Sequence, residues 1–75
     1  MKRFRELTPK DICIESIPWG GYSASIKFYS MVFAKEETIG GHAMTELWAV
    51  FYMFKGLEKF MDEHAVLLAK LGEDL

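Results

Sequence analysis

The chain has 75 residues, of which 51% are hydrophobic and 15% aromatic, and a formal net charge of −2. This length accommodates one domain, residues 1–75, and a hydrophobic content this high excludes a disordered chain. Cys13 is the only cysteine, so there is no internal disulfide. The acidic net charge does not favour nucleic-acid binding. No apolar run reaches the ~18 residues of a membrane span.

A domain of this size has a marginal core, because it buries only about 60% of its unfolded surface. Small domains compensate with disulfides, a metal or oligomerisation. The sequence has no Cys/His spacing typical of zinc. Oligomerisation or a very dense apolar core therefore remains as the expected support, and the absence of an apolar segment in "MKRFRELTPKD" favours the cytoplasm over export.

Two short strands are predicted near the start of the chain. "RFREL" alternates polar and apolar residues and predicts a strand over 3–7, and "ICIESI" is rich in isoleucine and predicts a second over 11–17. "TPKD" between them has turn chemistry. It also allows Thr8 to cap a helix that starts at Pro9, so a helix over 9–17 remains the alternative.

The third predicted strand spans 22–34 and follows the break "PWGG". Its alternation predicts one face packed on the core and one wet face that begins with Ser23, Ser25 and Lys27. The core face comprises Tyr22, Ala24, Ile26, Phe28, Val32 and Ala34. Because Tyr29, Met31 and Phe33 fall on the wet face, we expect them to form, with Trp48 and Tyr52, an apolar patch for a partner. The alternative is that the helix, a neighbouring strand or the dimer mate covers these three strand residues.

"KEETIGG", residues 35–41, predicts a loop, and a helix is predicted over about 43–71 with Gly72 as its stop and a frayed tail at 73–75. The expected fold is therefore α+β: a small antiparallel β-meander of two or three strands, followed by one long C-terminal helix packed on the sheet. Such a helix is about 45 Å long, whereas a compact chain of this size is roughly 30 Å across. Gly56 is the obvious place for a break, but the apolar phase runs through it and favours a continuous helix.

A heptad spacing of three and four residues runs along the predicted helix and indicates an interface between two copies of the chain. Its members are Leu47, Val50, Phe54, Leu57, Met61, His64, Leu68 and Leu71. An amphipathic helix lying on its own sheet is the competing interpretation. Trp48 and Tyr52 lie away from this seam, so the first half of the helix is apolar all round and is expected to bury its second side against a partner as well.

Catalytic patterns are missing from the sequence. "IGGHA" lacks the lysine and spacing of a phosphate loop, and "IPWGGYSAS" lacks a nucleophile elbow. Cys13, between two isoleucines, is expected to be a buried thiol, and His64 in the seam indicates an interface or core histidine. We therefore predict no catalytic residue, no cofactor and no metal.

Two resemblances suggest other functions. For nucleic acid, the sequence offers a small basic arm of Lys2, Arg3, Arg5 and Lys10 and candidate stacking faces at Tyr22, Phe28 and Tyr29. Separately, a sheet that runs into a helix after a glycine-containing loop resembles the C-terminal half of a double-stranded-RNA-binding domain. "GGHAMTELW" lacks the basic cluster of that family at the helix start. In size and style the chain also resembles phage-encoded inhibitors, anti-CRISPR proteins among them.

The first expectation is a non-enzymatic protein that acts by protein contact as a homodimer. The second is an inhibitor of phage or mobile-element type that docks on a host or defence protein. The third is a minor nucleic-acid-binding protein that uses the basic arm.

Overall fold

A computed structural model describes residues 2–72, and the predicted frayed tail lies outside this range. The fold is α+β, as the sequence predicts: a three-stranded antiparallel sheet in the order β1-β2-β3, followed by helices that pack on it. The elements are β1 (Cys13–Ser16), β2 (Tyr22–Ser30), β3 (Lys35–Ala43), α1 (Glu46–Glu63) and α2 (Ala65–Lys70).

The central strand β2 follows the alternation of its sequence. Ala24, Ile26 and Phe28 are buried beneath the helices, whereas Lys27 is exposed on the opposite face. This part of the predicted third strand is confirmed. The strand is shorter than the predicted range 22–34, because it ends at Ser30, where the buried hydroxyl accepts a hydrogen bond from the Phe33 amide at 3.2 Å and closes a turn.

The prediction of a loop over 35–41 is wrong. This segment is β3, which pairs with the whole length of β2 from Ser30↔Lys35 to Tyr22↔Ala43. Its sequence has turn chemistry and only a weak local preference for a strand. However, β2 offers an unpaired edge next to a tight turn, and the backbone hydrogen bonds to that edge stabilise the strand.

The predicted strand over 3–7 is also wrong. Phe4–Glu6 forms a single 3-10 turn, which the Glu6 carboxylate stabilises by accepting a hydrogen bond from the Arg3 amide at 2.9 Å. The turn places Phe4 in the core against Phe28 and Phe60, with ring centroids 5.2 and 5.6 Å away. Burial of an aromatic ring therefore decides the conformation here, rather than alternation.

Both interpretations of residues 8–17 are realised in part. Pro9–Asp11 forms a second 3-10 turn that begins after Thr8, as in the helical alternative. The predicted strand over 11–17 follows it as β1, which is only four residues long. Its residues pair with the first half of β2, from Cys13↔Ser25 to Ser16↔Tyr22.

The long helix continues through Gly56, as the apolar phase predicts, but it does not reach residue 71 in one piece. It breaks at His64, whose ψ of 19° leaves the helical range. The break keeps the His64 ring against Phe33 and Phe60, with centroids 5.1 and 4.9 Å away. The helix α1 has 18 residues and is about 27 Å long, well short of the 45 Å of the predicted helix.

The helix α1 lies over β3 at very close range. A Cβ atom on Gly41 would collide with the backbone at Ala49 and Met53 and lie 2.7 Å from the Tyr52 Cβ. Glycine is therefore required at this position for the helix to approach the strand. Around this contact, Ala24, Ile26, Ala49 and Met53 form the buried centre of the core.

Candidate protein-contact surface

The orientation of α1 is set at its first turn. Thr45 is the N-cap, and its hydroxyl accepts a hydrogen bond from the Trp48 amide at 3.3 Å, which supports the helix start. Ala49 and Met53 then face the sheet and are fully buried. Because these two positions face inward, the residues between and around them must point away from the sheet.

Five large apolar side chains consequently project from the first half of α1. We call them the outer helix surface. Their exposed fractions are 77% for Leu47, 52% for Trp48, 42% for Phe51, 49% for Tyr52 and 49% for Phe54. Single exposed apolar residues are ordinary, but a contiguous group on a small chain is a candidate contact site.

The aromatic members of this surface contact one another. The Trp48 and Phe51 rings meet edge to face with centroids 5.3 Å apart, and Tyr52 lies 5.8 Å from Phe51 and 6.1 Å from Trp48. The Lys55 ammonium lies 5.4 Å from the centroid of the Phe51 ring. The cluster is therefore a packed aromatic surface with the Lys55 ammonium at its border.

The structure divides the predicted heptad seam between the interior and the surface. Leu68 is only 2% exposed and belongs to the core of the chain itself. Leu47, Phe54 and Leu71 are exposed, and the remaining members are half-buried, namely Val50, Leu57, Met61 and His64. The seam thus lies on the flank of α1 next to the buried face of the helix. Only its exposed members, Leu47, Phe54 and Leu71, remain candidates for the predicted interface.

An apolar groove explains why the middle of the seam is half-buried. It has a volume of about 360 Å³ and lies between α1 and the N-terminal segment, residues 2–12. Phe54, Leu57 and Met61 line it on the helix side, and Phe4 and Leu7 line it on the other. Of these seam residues, Leu57 also packs against the buried core of its own chain.

The predicted partner patch does not form one surface. Tyr29 lies on the open face of the sheet and is 37% exposed, whereas Phe33 lies in the following turn and packs against His64. Trp48 and Tyr52 lie in the first two turns of α1, far from the His64 end of that helix. In the structure, Tyr29 and Phe33 therefore lie apart from Trp48 and Tyr52, which belong to the outer helix surface.

Phe51 belongs to the outer helix surface but to neither predicted set of contact residues. It lies four residues after Leu47 and three before Phe54, so all three share one side of a helix. The helical spacing could have identified it. The heptad pattern missed it because eight consecutive apolar residues, Leu47 to Phe54, support more than one stripe.

Three side chains singled out from the sequence have other environments. Cys13 is exposed, not buried as expected, because it lies on the open face of the sheet opposite Ser25. Phe28 is fully buried and offers no stacking face. In the basic arm, the Lys2 ammonium pairs with the Asp11 carboxylate at 3.2 Å.

The Asp11 carboxylate holds the second 3-10 turn together. One of its oxygens accepts hydrogen bonds from the Thr8 amide at 2.7 Å, the Thr8 hydroxyl at 3.1 Å and the Lys2 ammonium at 3.2 Å. The pKa of Asp11 lies below its ordinary value, mainly because the carboxylate accepts the hydrogen bond from the Thr8 amide. Partial desolvation raises this pKa, whereas the Lys2 ammonium and the Thr8 hydroxyl lower it further.

Acid is therefore expected to remove the contribution of Asp11 to stability. A carboxyl whose pKa is lower in the folded chain stabilises the fold above its unfolded pKa, about 3.9, and loses this effect as the pH falls through the folded value. Asp11→Asn should melt at a lower temperature than the parent protein near neutral pH. The two melting temperatures should converge at about pH 2, as measured by circular dichroism.

Asp62→Asn is the matched control, because Asp62 is exposed on α1 and no hydrogen bond or ion pair joins its side chain to another residue within 2–72. It should show no such convergence. Equal pH dependence in the two variants would mean that Asp11 contributes no specific interaction.

Comparison of the chain with protein-family models, with curated proteins and with solved structures finds no match. Within residues 2–72, neither helix combines the length and apolar character needed to cross a membrane. The same part of the chain contains no group of three or more His, Cys, Asp or Glu side chains placed to hold a metal ion.

Proposed function

We propose that this chain is a non-enzymatic protein that acts by protein contact, and that its first partner is a second copy of itself. The observation that carries the proposal is the outer helix surface, whose five side chains are 42% to 77% exposed on one side of α1. Burying these side chains against an identical surface stabilises both copies through the same residues, as in a two-fold dimer.

The available area supports a dimer of modest size. If each side chain has about 200 Å² to bury and about half of it is still exposed, the outer helix surface offers roughly 500 Å² per copy. A standard interface buries about 800 Å² per partner. Met44, which is 74% exposed and precedes α1, and the border around Lys55 can supply much of the difference.

Phe51→Asp should dissociate this dimer, because it places a charge in the middle of the outer helix surface. Light scattering behind a sizing column should give close to twice 8.7 kDa for the parent protein and close to 8.7 kDa for the variant at micromolar concentration. The variant should keep its helical circular dichroism, since Phe51 is not part of the buried core.

Val66→Asp is the matched control for the same chemical change. Val66 is 69% exposed on α2, away from the outer helix surface, so this variant should remain a dimer. A parent protein that is monomeric at these concentrations would contradict the homodimer and would favour the inhibitor hypothesis, in which a foreign protein covers the same aromatic cluster.

A further inference from the structure

The outer edge of the sheet is long and unprotected. In the order β1-β2-β3, one side of β3 bonds to β2, and no strand within residues 2–72 bonds to its other side. Every second residue of an edge strand directs its N–H and C=O groups outward. Natural edges are usually blocked by charge, proline or a bulge, but β3 has no proline and carries Lys, Asp or Glu only at residues 35–37.

The opposite edge of the sheet is short. There β1 is only four residues long, and beyond it the N-terminal segment approaches the free half of β2. The Tyr29 amide donates a hydrogen bond to the Lys2 carbonyl at 2.9 Å, and Arg3 forms a bridge with Tyr29. The chain thus pairs part of the free half of β2 with its own backbone, and the nine residues of β3 form the longest open edge among residues 2–72.

The helix α1 packs on the strand that forms the open edge. It lies directly above β3 at Gly41, and its other flank already faces the N-terminal segment across the apolar groove. The flank that carries Trp48 and Tyr52 borders a cleft of about 520 Å³, which His42 and Ala43 at the end of β3 also line. A strand placed beside β3 would therefore have two aromatic rings above one of its faces.

A second copy of β3 does not fit this place. Two β3 strands paired through their uncharged halves would lie about 4.8 Å apart, and each would carry its own α1 above Gly41. Packed helices need 8–10 Å between their axes, so the two copies of α1 would overlap. The occupant must be a strand without a helix above it.

The charges at the far end of β3 indicate the chemistry of that strand. Glu37 forms an ion pair with Lys35 at 3.8 Å. Glu36 is exposed on the open face of the sheet, opposite Tyr29, and has no ion-pair partner within residues 2–72. A cation beside Glu36 would be favoured, since opposite charges on neighbouring strands attract.

We propose that the β3 edge binds an extended segment of another protein by strand addition. The segment runs antiparallel to β3, the more frequent arrangement. Near its N-terminal end it places an apolar side chain beneath Trp48 and Tyr52, and near its C-terminal end it places a Lys or Arg beside Glu36. Main-chain hydrogen bonds supply affinity, and these two side-chain contacts supply specificity.

The probe is a short synthetic peptide in which valine alternates with threonine and the last residue is lysine. Binding should slow the hydrogen exchange of alternate β3 amides, measured by nuclear magnetic resonance. Glu36→Lys should raise the Kd about threefold to tenfold, and a peptide that ends in glutamate should recover the loss. A peptide that is N-methylated on the backbone edge facing β3 should not bind.

Glu15→Lys is the matched control, because Glu15 is exposed on the same face of the sheet but on β1, at the opposite edge. It changes the net charge equally and should leave the Kd within about twofold. Absence of binding, binding that leaves the β3 amides unchanged, or equal effects of the two glutamate variants would overturn the proposal. The peptide and the proposed dimer use the same Trp48 and Tyr52 rings and therefore compete. Peptide binding to monomeric Phe51→Asp would separate strand addition from the dimer.

Discussion

Gly41→Ala is expected to lower the free energy of unfolding by about 3 kcal/mol, at the upper end of the range for overpacked positions. The new Cβ would collide with backbone atoms of Ala49 and Met53, which a side-chain rotation cannot move. The helix α1 must therefore shift away from β3, and the buried Met53 side chain must shift with it. Urea denaturation followed by circular dichroism measures this change.

Gly56→Ala is the matched comparison on the helix side of the same interface. There a Cβ would lie 2.8 Å from the Cγ2 methyl group of Ile39, a side-chain atom rather than backbone, so the adjustment needed is smaller than at Gly41. Alanine also improves helix propensity by about 1 kcal/mol. We expect little net change. A Gly41 variant as stable as the Gly56 variant would contradict the placement of α1 on β3.

Phe28→Ala is expected to cost about 4 kcal/mol, the usual range for deleting a buried phenylalanine. Phe28 is fully buried and joins Phe4 and Phe60 in a cluster with centroids 5.2 to 5.6 Å apart. Small domains have total stabilities near the lower end of about 5–15 kcal/mol. The variant should therefore be largely unfolded at physiological temperature, and its thermal melt should show no cooperative transition there.

Tyr29→Ala removes the neighbouring aromatic side chain and serves as the control. Tyr29 is 37% exposed on the open face of the sheet, and its backbone hydrogen bond to Lys2 does not require the ring. We expect a cost of about 1 kcal/mol, typical of partly exposed positions. Losses of similar size in the two variants would mean that the inward and outward faces of β2 are misassigned.

The sequence predicts β2 well because its pattern is local. Ala24, Ile26 and Phe28 alternate with polar neighbours, and a half-buried strand needs only that alternation. The strand β3 could not be predicted in this way. Its "IGGH" segment has no strand pattern, and Gly41 is needed for the approach of α1, a requirement that only the assembled fold reveals.

The contact surface could be predicted only in outline. The apolar run from Leu47 to Phe54 indicates a helix that buries two sides, but it fits several stripes equally well. The choice among them depends on which residues meet Gly41, and these are Ala49 and Met53. Once they face inward, Phe51 must face outward. The heptad pattern instead places the predicted interface on a neighbouring side of the helix, which does not include Phe51.

The first described residues of the chain lie against the last ones. The Arg5 guanidinium donates a hydrogen bond to the Gly72 carbonyl across 67 positions of sequence, while the strand pairings join only neighbours along the chain. The entropy lost in closing a loop grows with the logarithm of its length. We therefore expect the hairpins and α1 to assemble first, and the N-terminal segment to dock in the final step of folding, when Phe4 completes the aromatic cluster.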